Sequence, residues 1–299
     1  MIRARNAAAP SLSRSAGPLV LVGPATILLV SFYLLPNALN LALGFTDWNA
    51  YQSDIRFNGL ENFERLSRTG VLGNAIATTL TFALLTMTVQ NTVALALALG
   101  LERTTWLNGL LRTIFFIPVL LSPLATGYIF RGLLAPGGTL NAALSLLTGQ
   151  PVRVAWLGEP DLALPILSLI QAWKGVGFTT LIYLAGLAAV PKELEEAARV
   201  DGASTRQVVA KVKLPLLAPA LTANLVLTLI GSISAFDIVL ATTRGGPGRS
   251  TTVLNLELYQ QFANGLYGMA TAVNLVVFAL IVLAAVPLMV FLRRREVQL

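Results

Sequence analysis

Six long apolar segments, each followed by a polar stretch, set the rhythm of the chain. They cover roughly residues 18–45, 75–101, 114–134, 162–190, 214–240 and 269–292. A helix needs about 20 apolar residues to cross the hydrocarbon of a bilayer. The pattern therefore predicts an all-α integral membrane protein with six transmembrane helices. Several segments are interrupted: Pro18, Pro24 and Pro36 in the first, Pro118 and Pro123 in the third, Pro165, Gly175 and Gly177 in the fourth. A backbone carbonyl freed inside a membrane must find a partner in protein or in a wet cavity. Broken helices suit a bundle with an internal pathway, although proline and glycine are also frequent in membrane helices generally.

One polar stretch is more than a plain connection. Residues 191–215 read PKELEEAARVDGASTRQVVAKVKLP, crowded with charge between two apolar segments. Pro191 suits the first turn of a helix. Glu193, Glu195 and Glu196 fall near that helix's positive end, where carboxylates are favoured. Leu194, Ala197 and Ala198 recur at i, i+3 and i+4 and give it one small apolar face. Gly202 can end the helix by adopting positive φ. Ser204 and Gln207 have capping-box spacing and start a second helix, with Val208, Val209 and Val212 as its apolar stripe. The prediction is helix, glycine turn, helix, lying across one mouth of the bundle between helices four and five. A loop needing only positive charge would not carry four carboxylates and an alanine pair. The insert reads as a docking knob for a partner protein.

Composition narrows the class. Of 299 residues, 55% are hydrophobic and 12% charged, with a mean hydropathy of +0.73; a soluble domain carries about 25% charged residues. Histidine and cysteine are absent, which removes disulfides, thiolate chemistry, histidine acid–base work and most zinc or haem sites. No metal site and no catalytic constellation are expected. The net charge of +7 fits basic inner loops rather than nucleic-acid binding. With the amino end inside, the inner segments hold 13 lysines and arginines and the outer loops 7, leaving Lys174 within the fourth span. Both termini and the insert are thus expected in the cytoplasm. Arg3, Arg5 and Arg14 before the first apolar segment resemble the start of a signal peptide. That segment is long, however, and no small-x-small cleavage site follows it, so it is read as an uncleaved span. The expected organisation is a cytoplasmic tail at 1–17, a six-span body at 18–293 containing the 191–215 loop, and a cytoplasmic tail at 294–299. The protein would be multi-pass in the cell membrane, in contact with lipid.

Glu196-Ala197-Ala198, Gly202, Val212 and Leu214-Pro215 have the spacing E-A-A-x3-G-x9-V-x-L-P. This resembles the EAA loop of ABC importer permeases, which has isoleucine where Val212 stands. The extended form EEAARVDGAS is similar to the carbohydrate-uptake branch, of maltose and glycerol-phosphate type. Thr242-Thr243-Arg244-Gly245-Gly246-Pro247 resembles that branch's LTxGGP signature, with Thr242 in the leucine position. Gly268-Met269-Ala270-Thr271-Ala272 resembles its G-x-A-x-A start of the last span, and Asn58-Gly59-Leu60-Glu61-Asn62-Phe63 its GLxNF element in the first outer loop. The resemblance runs over nearly the whole chain and is to the larger maltose permease. It implies a heteromeric importer: a second permease subunit, two copies of an ABC ATPase, and an extracytoplasmic sugar-binding protein or lipoprotein that delivers substrate. ATP and Mg would be bound by the ATPase and no cofactor by this chain, which has no G-x-x-x-x-G-K-[ST] loop to cradle phosphates. The coupling residues implied are Leu194, Glu195, Glu196, Ala197, Ala198, Asp201, Gly202, Leu214 and Pro215. Glu196 would meet basic groups of the ATPase, Ala197 and Ala198 would pack into its cleft, and Gly202 would make the turn.

Candidate pathway residues lie in two spans. In the fifth, Thr228, Gly231, Ser232 and Ala235 recur at i, i+3, i+4 and i+7 as a small, partly polar stripe. In the resembled family this stretch helps to line the sugar cavity; such stripes also serve ordinary helix packing. Asp237 lies near the outer end of that span. Gln171, Trp173, Gly177 and Thr180 on the fourth, with Phe178 and Tyr183, offer the aromatic faces and neutral donors that sugar hydroxyls need once water is stripped away. Lys174 beside them snorkels, pairs with a partner such as Asp237, or touches a ligand. As the one cation there, it argues against a phosphate ester as cargo. Asn224 is read as a ligand contact or an interhelical hydrogen bond. The alternative function is a stand-alone secondary transporter of a small polar solute, which would hold coupling charges at the midplane, where this chain has almost none.

Overall fold

The structure, a computed structural model, describes residues 16–296. Arg3, Arg5, Arg14 and most of the amino-terminal tail lie outside the described residues, as do residues 297–299. In chain order, α1 (Ala16–Leu29) continues through a π-helical turn (Val30–Leu34) into α2 (Leu35–Leu43). The short α3 (Glu61–Arg68) precedes α4 (Val71–Gly100), followed by α5 (Trp106–Leu120), α6 (Pro123–Leu133), α7 (Thr139–Thr148) and α8 (Pro160–Ala188). The polar insert contains α9 (Lys192–Val200), α10 (Thr205–Val208), a π turn (Val209–Lys213) and α11 (Leu214–Leu216). Then come α12 (Ala218–Ile233), α13 (Asp237–Thr242), α14 (Leu254–Ala263) and α15 (Tyr267–Arg293). Among the described residues the only extended pairing is an isolated bridge, Thr46 with Phe57.

Among the described residues, four continuous helices are long and apolar enough to cross a membrane: Val22–Leu43, α4, α8 and α15. Two bent pairs bring the number to six if each is one span. The predicted third span is one of them, because α5 and α6 meet at 97°. Ser122 precedes Pro123 and is held extended at ψ 144°, as proline demands of its neighbour. The Ser122 hydroxyl then caps α6 by accepting from the Ala125 N–H at 3.1 Å. The predicted fifth span is shorter than 214–240. Its approach, Thr205–Leu216, meets α12 at 66°, and α12 ends at Ile233. Asp237 opens α13 instead of continuing the span, which puts its carboxylate at a positive helix end.

α4 packs along α8, α5 against α8, and α12 between α4 and α15. Small residues set these approaches. A Cβ on Gly177 of α8 would collide with the Phe115 carbonyl oxygen and come within 2.8 Å of Phe116 Cα on α5. Gly177→Val is therefore expected to push α5 off α8 and remove about 1–3 kcal/mol of stability, the scale of overpacking. Thermal unfolding of the detergent-solubilised protein reads this directly, and an unchanged midpoint would contradict the tight α5–α8 seam.

Buried side-chain hydrogen bonds fix the register of α4, α8 and α12. Gln90 Nε2 donates to Thr179 Oγ1 at 2.7 Å, Tyr183 Oη to Asn91 Oδ1 at 2.8 Å and Asn91 Nδ2 to Thr228 Oγ1 at 3.3 Å. Asn224 Nδ2 donates to the Thr179 carbonyl at 3.1 Å, so this asparagine is an interhelical tie. Bonds of this kind in a membrane average about 0.6 kcal/mol and specify register more than they add stability.

Candidate functional site

The insert folds as helix, turn, helix for local reasons. Gly202 takes φ +84°, with its N–H on the Arg199 carbonyl at 3.0 Å and the Ala203 N–H on the Ala198 carbonyl at 2.9 Å. These are the two bonds of a Schellman stop. Ser204 and Gln207 then form a reciprocal capping box. Val208 is buried and anchors α10, and the π turn leads through Leu214 and Pro215 to the bend before α12.

The residues predicted on the docking helix separate onto two faces. Glu193, Leu194, Glu196, Ala197 and Val200 are exposed, Val200 by 87%. Ala198 is half-buried beside the exposed Ala197, so the two differ in how far they reach the outer face. Glu195 also turns inward, where Lys213 Nζ reaches its carboxylate at 3.1 Å. The same ammonium lies 2.7 Å from both carboxylate oxygens of Glu102, just past the end of α4. Burial opposes the Lys213 charge, but the two carboxylates outweigh it and raise its pKa above 10.5. A lysine raised in this way contributes its stability fully below the unfolded value and loses it only as pH rises through the folded one. The Lys213 ammonium therefore stays charged across neutral pH. Glu102 escaped the sequence reading, yet it is the only carboxylate between Glu64 and Glu159, and that isolation was the available signal.

The predicted pathway residues also divide. Thr228, Ser232 and Ala235 are buried, with Thr228 engaged by Asn91. Of that stripe Gly231 alone is exposed, and the open face of α12 is Leu227, Gly231 and Ser234, at i, i+4 and i+7. On α8, Gly177 is closed off by α5, and Thr180 is buried with its hydroxyl on the Val176 carbonyl at 2.8 Å. Gln171 is half-buried, while Trp173 and Phe178 are 43% and 50% exposed. Trp173 meets Phe130 edge-on at 5.3 Å. Lys174 Nζ donates to the Val119 carbonyl at 3.4 Å. It thus caps the negative end of α5 at the α5–α6 break, and no Lys174–Asp237 pair forms among the described residues. Asp237 itself is exposed. A cleft of about 730 Å³ between α2, α14 and α15 gathers Asn37, Asn40, Asn255, Asn274 and Tyr259, with Asn274 Nδ2 donating to Asn40 Oδ1 at 2.9 Å. Sequence reasoning missed it, although asparagines inside apolar segments were the sign.

The remaining motif residues are joints at the end of the bundle opposite the insert. Asn62 Nδ2 donates to the Gly44 and Thr46 carbonyls at 2.9 and 2.8 Å. The Gly268 N–H donates to the Trp48 carbonyl at 2.7 Å, and a Cβ there would collide with Thr46. In the 242–247 loop, Gly245 has φ +91°, and nearby Arg249 pairs with the buried Glu257 at 2.7 Å.

Comparison with known proteins matches this architecture. A crystal structure of a bacterial ABC transporter involved in the import of the acidic polysaccharide alginate aligns with a TM-score of 0.80. The match covers 94% of this chain and 97% of that one at 24% identity, and so bears on the fold alone. The trehalose/maltose transport system permease protein MalF of Thermococcus litoralis is 32% identical over 272 residues, 89% of each chain. The multiple sugar-binding transport system permease protein MsmF of Streptococcus mutans is 31% identical over 87% of this chain and 89% of that one. The model of the family described as binding-protein-dependent transport system inner membrane component matches residues 90–296. That range takes in α8, the whole insert with its ion cluster, and α12 to α15, and the chain belongs to this family of membrane-embedded transport components.

Proposed function

We propose that this chain is the permease subunit of an ATP-driven importer that moves a mono- or oligosaccharide across the cell membrane by alternating access. The observation that carries the reading is α9, a charged helix with an open outer face and no buried side chain of its own, held between the roots of α8 and α12. Such a helix has little use inside a solitary chain and suits a grip for an ABC ATPase, with Glu196, Ala197 and Leu194 as its contact face. Gly202 and Asp201 shape the turn behind it, and Leu214 and Pro215 lead its motion into α12. The relatives named for trehalose, maltose and multiple sugars support a sugar as cargo. An extracytoplasmic binding protein would deliver it, as the family description implies.

A second permease subunit completes the pathway in this reading. The first span supports it: none of the Val22–Leu43 window is buried within the chain, so its apolar surface has room for a partner as well as lipid. The insert and both tails, 1–17 and 294–299, face the cytoplasm, and the body at 18–293 spans the membrane. The open face of α12 at Leu227, Gly231 and Ser234 lines the pathway, with Trp173 and Phe178 of α8 as aromatic candidates. ATP and Mg belong to the ATPase, and this chain is non-catalytic.

Affinity purification of the chain from detergent-solubilised native membranes tests the proposal. A second permease, one ATPase species and a binding protein are expected to come with it. The chain alone, or as a homo-oligomer, would favour the stand-alone secondary transporter.

A further inference from the structure

We propose that Lys213 is a positioning residue for coupling: with Glu195 and Glu102 it forms an ionic latch that makes α9, the end of α4 and the root of α12 move as one body. The proposal rests on α9 being the helix on which the ATPase acts, and it adds what carries that motion into the bundle.

The need for such a tie follows from how α9 is attached. It has no fully buried residue, so apolar packing alone holds it only loosely to the spans. Its backbone leaves through the extended Pro191 at one end and the positive-φ Gly202 at the other. Both are places where a displacement of α9 would be absorbed by the turn. Among the described residues, Glu195 is the one α9 side chain in an ion pair or side-chain hydrogen bond. It reaches Lys213, the last residue of the π turn and the residue directly before Leu214-Pro215 and the bend into α12. The motif spacing leaves that position open, so a lysine there is a feature of this chain rather than of the pattern.

The latch is built to hold. The side chains of Lys213, Glu195 and Glu102 are 9%, 18% and 30% exposed. Exposed pairs such as Arg68–Glu64, at 79% and 58%, are screened by salt and contribute little. Glu102 is fixed from its far side as well, because the Arg112 guanidinium of α5 donates to the Leu101 and Glu102 carbonyls at 3.1 and 3.2 Å. One carboxylate of the three-charge cluster is in excess, and Arg103 and Arg199 line the same cavity of about 690 Å³. A push on α9 therefore acts through Glu195 on the root of α12, and through Glu102 on α4 and α5.

The chain has no cysteine, so nitroxide labels can be placed on Val200→Cys of α9 and Leu227→Cys of α12, both exposed. The purified complex with its partner subunits is compared before and after ATP, Mg and vanadate. In the parent complex the Val200–Leu227 distance is expected to change by no more than about 1–2 Å, an ordinary interface adjustment. In Lys213→Met and in Glu195→Ala it is expected to change by about one helical turn, ~5 Å, with Lys213→Arg returning the parent response. Glu195→Ala leaves the Lys213–Glu102 pair in place and guards against a Lys213→Met variant that fails to fold. A distance response identical in parent and both variants, with the Val200 label still immobilised by the ATPase, would overturn the latch and leave the docking helix standing. A Val200 label indifferent to the ATPase would remove the docking reading, and the latch with it.

Discussion

Glu196→Lys is expected to leave the protein folded in the membrane and to strip the ATPase from it. Glu196 is exposed, has no partner among the described residues, and sits on a helix with no buried side chain. Substitutions at such positions usually change stability by no more than about 0.5 kcal/mol. At an interface the balance reverses. Removing one member of a desolvated charge pair costs about 2–5 kcal/mol, and charge reversal adds repulsion from the same basic groups. Since about 1.4 kcal/mol is tenfold, the ATPase that co-purifies per permease should fall about 30-fold or more. The thermal midpoint of the permease should hold. Normal assembly and transport by this variant would show that α9 is not gripped through Glu196.

What could be read from the residues, and what could not, divides along the range of the interactions. Gly202, Ser204 and Gln207 act within a few residues of themselves, and their turn and cap were legible from spacing because capping chemistry is local. Pro118 and Pro123 marked the third span as broken, but the 97° between α5 and α6 depends on what α8 and α13 pack against. The stripe in the fifth span shows the limit more sharply. Helical spacing places Thr228, Gly231, Ser232 and Ala235 near one another, yet only the neighbouring helices decide which of them is covered. Asn91 takes Thr228, and the open face is rotated onto Leu227, Gly231 and Ser234. The ion cluster was out of reach for a similar reason, since Glu102 and Lys213 are 111 residues apart and no periodicity links them. For Lys174 local sequence allows three roles, because the carbonyl it caps is 55 residues away.

That rotation makes Gly231 the position at which pathway and packing can be told apart. Gly231→Trp is expected to abolish uptake while the complex, ATPase included, still assembles. A Cβ at Gly231 meets nothing within 4 Å, so the new side chain starts from an open face of the helix rather than from a packed seam. Replacing glycine inside a helix also favours the helix by up to about 1 kcal/mol, which offsets part of any strain. Ser232, one residue on, is 2% exposed, and Ser232→Trp should instead unfold the α12 seam, because overpacking a filled site costs about 1–3 kcal/mol or more. The pair of variants separates a plugged route from a broken fold. Uptake is measured with whichever sugar of a panel the parent complex accumulates, and assembly by the subunits that co-purify. If Gly231→Trp loses the second permease, the open face of α12 is a subunit interface. If it transports like the parent, the route runs elsewhere, and the aromatic pair Trp173 and Phe178 on α8 becomes the place to look.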